Sequence, residues 1–176
     1  MVTVKDKVFA PFIEKEQLAQ RIAELADKIN TDYAGRTPLL VVVLNGAFLF
    51  AADLIRHITI PCEVSFIRLA SYAQTQSTGR VKQVLGLQEP VAGRDVVVVE
   101  DIVDTGLTMA QLVQQLWEQE ASSVEIATLL YKPEAIRESV TLRYVGFEIQ
   151  NRFVVGFGLD YDGQGRNLDA IYVLAN

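Results

Sequence analysis

Four consecutive valines at residues 96–99 restrict the fold of this chain more than any other feature. Such a dense β-branched run fits poorly into a helical turn, where each side chain loses χ1 freedom. With no polar residue alternating, it reads as a short strand buried on both faces, the kind found inside a parallel sheet. The run begins at Asp95 and breaks into Glu100-Asp101-Ile102-Val103-Asp104-Thr105-Gly106-Leu107-Thr108-Met109, where a helical pattern takes over. Acids and hydroxyls just past the carboxyl end of a buried strand stand where open α/β sheets bind their ligands.

The flanking sequence supplies the rest of such a sheet. Leu18, Ile22, Leu25 and Ile29, widened by Ala19, Ala23 and Ala26, give residues 14–30 helical spacing. Residues 39–44 form a second apolar run, and Asn45-Gly46 is a turn signal before a helix over 47–57. A strand is expected over 62–69, a helix over about 108–120 and a strand over 123–131 that Lys132-Pro133 stops. Residues 141–147, 153–159 and 170–174 also read as extended, and residues 1–12 as a short strand or arm. Strand and helix alternate from 39 to 131, which implies right-handed βαβ units around a mostly parallel sheet flanked by helices. The polar stretch 71–86 reads either as a lid or as a hairpin tip. At 176 residues, one domain over 1–176 is expected.

Composition narrows the function. A formal charge of −6 disfavours a general nucleic-acid or anionic-membrane binder, which needs a basic field. A phosphate ester would then have to be held by local devices: backbone amides, a few basic side chains, a divalent metal. The single cysteine, Cys62, rules out an internal disulfide and reads as a structural thiol of a reducing compartment. The amino terminus lacks the apolar core of a signal peptide, and no run reaches the ~20 residues of a membrane span. A soluble, cytoplasmic protein is expected.

Several chemistries can be set aside. No Gly-x-x-x-x-Gly-Lys-Ser/Thr occurs, so the acidic strand end is not that of a P-loop NTPase. Gly156-Phe157-Gly158 and Gly163-Gln164-Gly165 lack the third glycine and following helix of a dinucleotide site. His57, the only histidine, falls near a helix end, where a cap or surface role is commonest. What remains at residues 104–108 is a strand-to-helix turn. Its amides, its glycine and its two threonines could cradle an anion, or serve as an ordinary N-cap; turn chemistry leaves both open. Glu100 and Asp101 would point to opposite faces of a continuing strand, and can share a ligand only if the pleat has ended.

The run Val-Val-Val-Val-Glu-Asp-Ile-Val-Asp-Thr-Gly-Leu-Thr resembles the phosphoribosyl-pyrophosphate (PRPP) motif of the type I phosphoribosyltransferases, and its Glu-Asp opening resembles the hypoxanthine (hypoxanthine-guanine) branch. Leu44-Asn45-Gly46-Ala47-Phe48 resembles the family's pyrophosphate loop, and Ser71-Tyr72 with Ser77-Thr78-Gly79 its mobile lid. Leu129-Leu130-Tyr131-Lys132 resembles the purine-reading strand, and residues 153–161 with Arg166 resemble the carboxy-terminal signature. The resemblance implies the type I fold, a parallel core over about 37–160 with a small hood from about 1–12 and 150–176.

It also implies a reaction: transfer of 5-phosphoribosyl from PRPP to hypoxanthine, or to guanine, with Mg²⁺ as cofactor. Asp104 would exchange a proton with purine N7, and Lys132 would donate to O6. Phe153 would stack on the base, the Val154 backbone would read its edge, and Asp160 would complete that region and bind a second Mg²⁺. Glu100 and Asp101 would hold the ribose hydroxyls and the metal's hydration shell. Asp104, Thr105, Gly106, Leu107 and Thr108 would grip the 5′-phosphate, while Asn45, Gly46 and Arg166 would hold pyrophosphate. Ser71 and Tyr72 would close over the site. Partners would be small molecules, a 6-oxopurine and PRPP, with no nucleic acid or membrane, in a homodimer or homotetramer.

One position departs from the pattern: Asn45 stands where many relatives carry a lysine, so a cation near pyrophosphate is missing. The choice among hypoxanthine, guanine and xanthine stays open. A rival of another class is a regulatory protein that kept the fold and binds RNA; the acidic total and the lack of a basic run count against it.

Overall fold

The computed structural model describes residues 1–70, 82–87 and 89–175. Its centre is a six-stranded sheet ordered β5-β4-β3-β6-β7-β8, formed by β3 (Leu39–Leu44), β4 (Glu63–Ala70), β5 (Lys82–Leu85), β6 (Asp95–Val103), β7 (Ser123–Tyr131) and β8 (Tyr144–Glu148). Five of these strands run parallel, and β5 pairs antiparallel with β4. The chain ends build a second, antiparallel sheet, β1-β2-β10-β9, from β1 (Val2–Val4), β2 (Lys7–Ile13), β9 (Val154–Val155) and β10 (Ile171–Leu174). The expected parallel core with a hood from both ends is therefore present.

The valine run explains how the layers are held. Side chains alternate along a strand, so Val97 and Val99 join Leu40 and Val42 on one face, while Val96 and Val98 join Leu39 and Val41 on the other. The first face packs on α1 (Lys15–Asp32) and α2 (Phe48–His57), through Leu18, Ile22, Leu25, Phe50 and Leu54. The second packs on α3 (Leu107–Glu118), through Met109, Leu112 and Leu116. All four valines are fully buried. At roughly 1.5–3 kcal/mol for each fully buried side chain of this kind, the run anchors both layers of the core.

Three expectations are corrected. The strand bearing the valines does not break at Glu100 but continues to Val103, so both acids lie within β6. Of residues 153–159 only Val154 and Val155 are strand, because Gly156, Phe157 and Gly158 all take positive φ, which ends the pleat. The extended stretch expected from residue 141 begins at Tyr144. The lid residues Ser71 and Tyr72 lie outside the described residues.

Candidate active site

The chain runs from β3 outward to β4 and then crosses back to place β6 on the other side of β3. Such a reversal opens a crevice at the carboxyl ends of the two strands, the usual ligand position in open α/β sheets. The loops leaving β3 and β6 begin at Asn45 and Asp104, so topology alone delivers the two sequence-identified loops to one place. A polar cavity of ≈ 170 Å³ is lined there by Glu100, Asp101, Asp104, Thr105, Gly106 and Thr108, with Ile102, Val103 and Met109. A larger cleft of ≈ 540 Å³ lies between Thr3, Val4, Phe48 and residues 163–168. Of the predicted site residues among those described it contains only Arg166, whereas the smaller cavity gathers six of them.

Glu100 and Asp101 come together although the strand does not end. The ladder to β7 pairs Glu100 with Thr128 and Ile102 with Leu130, and skips Asp101. Each carboxylate folds back on the next peptide: Asp101 N–H donates to Glu100 Oε1 at 3.0 Å, and Ile102 N–H to Asp101 Oδ1 at 2.8 Å. Burial pushes the Glu100 carboxyl well above its usual range, and the neighbouring Asp101 charge pushes it further. Asp101 is also raised by burial, against the pull of its hydrogen bonds and of the Arg166 guanidinium. Two carboxylates side by side, Glu100 buried and Asp101 partly so, repel, and a cation or sugar hydroxyls would relieve both.

At the turn into α3 the geometry lacks an ordinary side-chain cap. The N-cap is Gly106, at φ 79° and ψ −15°, and among the described residues no side chain caps the helix. The first-turn amides are thus left for a ligand, and the helix dipole favours an anion there. The loop after β7 braces this turn from behind. The Thr105 carbonyl accepts from the Arg137 and Glu138 amides at 2.9 and 3.1 Å, and a Cβ on Gly106 would overlap the Glu138 carbonyl.

Lys132 is 6% exposed, and its ammonium donates to Asp104 Oδ2 at 3.1 Å. Its own amide donates to the Val103 carbonyl, which closes the end of β7 onto the end of β6. A lysine this buried needs a carboxylate partner, so the ordinary surface reading of Lys132 does not hold.

The hood contributes the remaining residues. Arg166 donates to the Gly158 carbonyl at 2.6 Å and pairs with Asp160 at 2.7 Å, while the second Asp160 oxygen accepts from the Gly163 amide. Asp162 and Gly163 both have positive φ, and Tyr161 and Gln164 exchange backbone hydrogen bonds around them. That is the tight hairpin turn for which Asp-Gly is suited. Gly158 meets the core directly: a Cβ there would overlap the Gly46 carbonyl, and a Cβ on Gly46 would overlap the Asp101 carboxylate. The loop after β3, the acid pair and the hood therefore stack without space for a methyl group. Asn45 is exposed at the head of this stack, Leu107 is exposed at the start of α3, and Val154 is buried in β9. Phe153, just before it, is 44% exposed.

Two contributors escaped the sequence reading: Gly158, and the loop at residues 137–138. The Gly-x-Gly of 156–158 was a visible signal for the first. Nothing local announces the second.

A family model, the phosphoribosyl transferase domain, matches residues 13–162. The hypoxanthine-guanine phosphoribosyltransferase of Mycobacterium bovis is 44% identical, over 90% of this chain and 82% of the relative. That of Bacillus subtilis is 40% identical, over 97% of this chain and 96% of its own length. A crystal structure of a hypoxanthine-guanine phosphoribosyltransferase from Bacillus anthracis gives a TM-score of 0.90 at 40% identity, covering 94% of this chain and 98% of that one.

Proposed function

The chain belongs to the phosphoribosyltransferase family, and from that premise we propose that it is a purine-salvage enzyme converting hypoxanthine, or guanine, and PRPP to the nucleoside monophosphate and pyrophosphate. The observation that carries this reading is the pairing of an uncapped helix N-terminus at residues 106–108 with the buried Lys132–Asp104 pair beside it. One half suits a phosphate; the other suits a base with a carbonyl and a titrating ring nitrogen.

In this reading the amides of residues 104–108, with the Thr105 and Thr108 hydroxyls, hold the 5′-phosphate, and Glu100 and Asp101 receive the ribose hydroxyls. The C1′–O bond to pyrophosphate breaks as the bond from purine N9 to C1′ forms. Lys132 donates to O6 and Asp104 moves the N7 proton, as a general acid–base pair would. Phe153 stacks on the ring, the Val154 backbone meets its edge, and Arg166 matches the leaving pyrophosphate with its planar fork. Asn45 offers an amide where relatives offer a cation.

Mg²⁺ fits the donor set. Among the described residues no group of three or more His, Cys, Asp or Glu could hold a metal unaided. The buried Glu100–Asp101 pair instead suits an ion that keeps its waters and takes few carboxylates, with substrate phosphates as further ligands. Bound there, and at Asp160, Mg²⁺ would neutralise charge developing on pyrophosphate. The same reading makes the protein a cytoplasmic homodimer or homotetramer; among the described residues no helix is long and apolar enough to cross a membrane.

The test is an assay with PRPP and Mg²⁺ against hypoxanthine, guanine, xanthine and adenine. Nucleotide should form from the 6-oxopurines and not from adenine, whose 6-amino group leaves the Lys132 donor without an acceptor. Turnover of adenine alone, or of no base, would overturn the proposal.

A further inference from the structure

We propose that Tyr161 is a positioning residue of the purine site, holding the Phe153 ring at the angle in which it stacks on the base. The proposal rests on the reading of Phe153 as the stacking group. Phe153 stands at the start of the hood's short strand with nearly half its surface exposed, where a ring turns freely unless something fixes it. Two aromatic neighbours do so. The Phe9 ring, wholly buried, lies 6.1 Å away and tilted by 43°. The Tyr161 ring stands edge-on at 5.8 Å and 83°, the T-shaped arrangement that the ring quadrupoles favour.

Tyr161 is itself fixed from several directions. Its hydroxyl donates to Asp6 at 3.0 Å, the Lys7 ammonium sits 5.4 Å over its ring, and Phe9 lies 6.4 Å away. Its backbone is bridged to Gln164 across the Asp162-Gly163 turn, and Lys5 pairs with Asp162 from the same β1–β2 turn. The turn at residues 5–7 thus grips the carboxy-terminal hairpin from the other end of the chain, and Tyr161 passes that constraint to Phe153. Because its side chain is only partly buried, its removal leaves the two faces of the central sheet intact.

The experiment measures KM for hypoxanthine, KM for PRPP and kcat in Phe153→Leu, Tyr161→Ala, Tyr161→Phe and the double variant Phe153→Leu/Tyr161→Ala. Tyr161→Ala should raise KM for hypoxanthine by about 3- to 10-fold, the range of one edge contact, with KM for PRPP and kcat held. Tyr161→Phe, which keeps the ring, should restore most of the affinity. In the Phe153→Leu background the alanine change should add nothing, since residues that act through one another are not additive. Unchanged KM for hypoxanthine in Phe153→Leu would remove the stacking reading itself. If Phe153→Leu weakens the base while Tyr161→Ala does not, the stacking reading survives and the positioning role is overturned. A parallel rise in KM for PRPP, or an undiminished effect in the double variant, overturns it as well. Tyr161→Leu, which fills the space without a ring, is read by the same criteria if the alanine variant does not fold.

Discussion

Asp104 is the residue to which the proposed proton exchange is assigned. Its carboxylate is half exposed to the cavity and bound by the ammonium of a lysine that is itself buried. In the proposed reaction this pair receives the base, Lys132 donating and Asp104 exchanging a proton. Asp104→Asn should lower kcat by ~10²–10⁴ with little change in PRPP binding; kcat equal to that of the wild type would remove Asp104 from the chemistry. Arg166 is tied to Gly158 and Asp160 and close enough to act on the Asp101 charge. Arg166→Ala should weaken product inhibition by pyrophosphate about 10- to 100-fold, the worth of one charge-assisted contact. An unaltered inhibition constant would place the arginine outside the site. The residue types at these positions were visible in the sequence. The approach of Lys132 to Asp104 and of Arg166 to Asp101 was not, because each joins residues from separate elements.

Among the elements, β6 was the most legible and also the most misleading. Its valines announced a buried strand, and the structure buries all four. Its acids suggested that the strand had ended, since two carboxylates inside a sheet are costly. The strand continues because each acid is satisfied by the next amide and both face the crevice. Residues 153–159 failed in the opposite sense. Their apolar pattern is that of a strand, while three successive positive φ values fold them into the loop that carries Gly158 to Gly46. Between α1 and β8 the fold uses charge as well as packing. Asp32, the last residue of α1, accepts from Arg143 Nε at 2.9 Å and from the Tyr144 hydroxyl at 2.7 Å. Those bonds, the arginine's first, hold its pKa below the ordinary 3.8. A depressed carboxylate stabilises the fold above its unfolded value and ceases to do so as pH falls through the folded one. Asp32→Asn should therefore lower the urea midpoint by a constant amount from pH 8 to pH 5, with the difference shrinking below about pH 4. A difference undiminished at pH 3 would contradict this role.

For the whole molecule, the central question is how a hood made of both chain ends is registered on a parallel core. The structure answers with a close stack, Asp101 on Gly46 on Gly158, in which two glycines allow carbonyl and carboxylate to approach. Gly158→Ala would place a side chain at φ 100° and against the Gly46 carbonyl. Strain of that kind costs about 1–3 kcal/mol, so the melting temperature should fall by about 2–12 °C for a domain of this size. Affinity for PRPP should fall with it, because the part displaced is the loop proposed to hold pyrophosphate; a stable variant with unchanged KM for PRPP would show that the hood does not set that loop. The parallel core followed from the alternation of strand and helix in the sequence, while the strand order came from the structure. The registration of the hood did not follow from the sequence, since it depends on backbone approach that no side-chain pattern records. In the proposed reaction of the whole molecule, the base drives the release of pyrophosphate. The most direct test follows pyrophosphate from PRPP and Mg²⁺ with and without hypoxanthine. Release that requires the base and matches nucleotide formed one for one is the predicted result, and release at the same rate without base would contradict it.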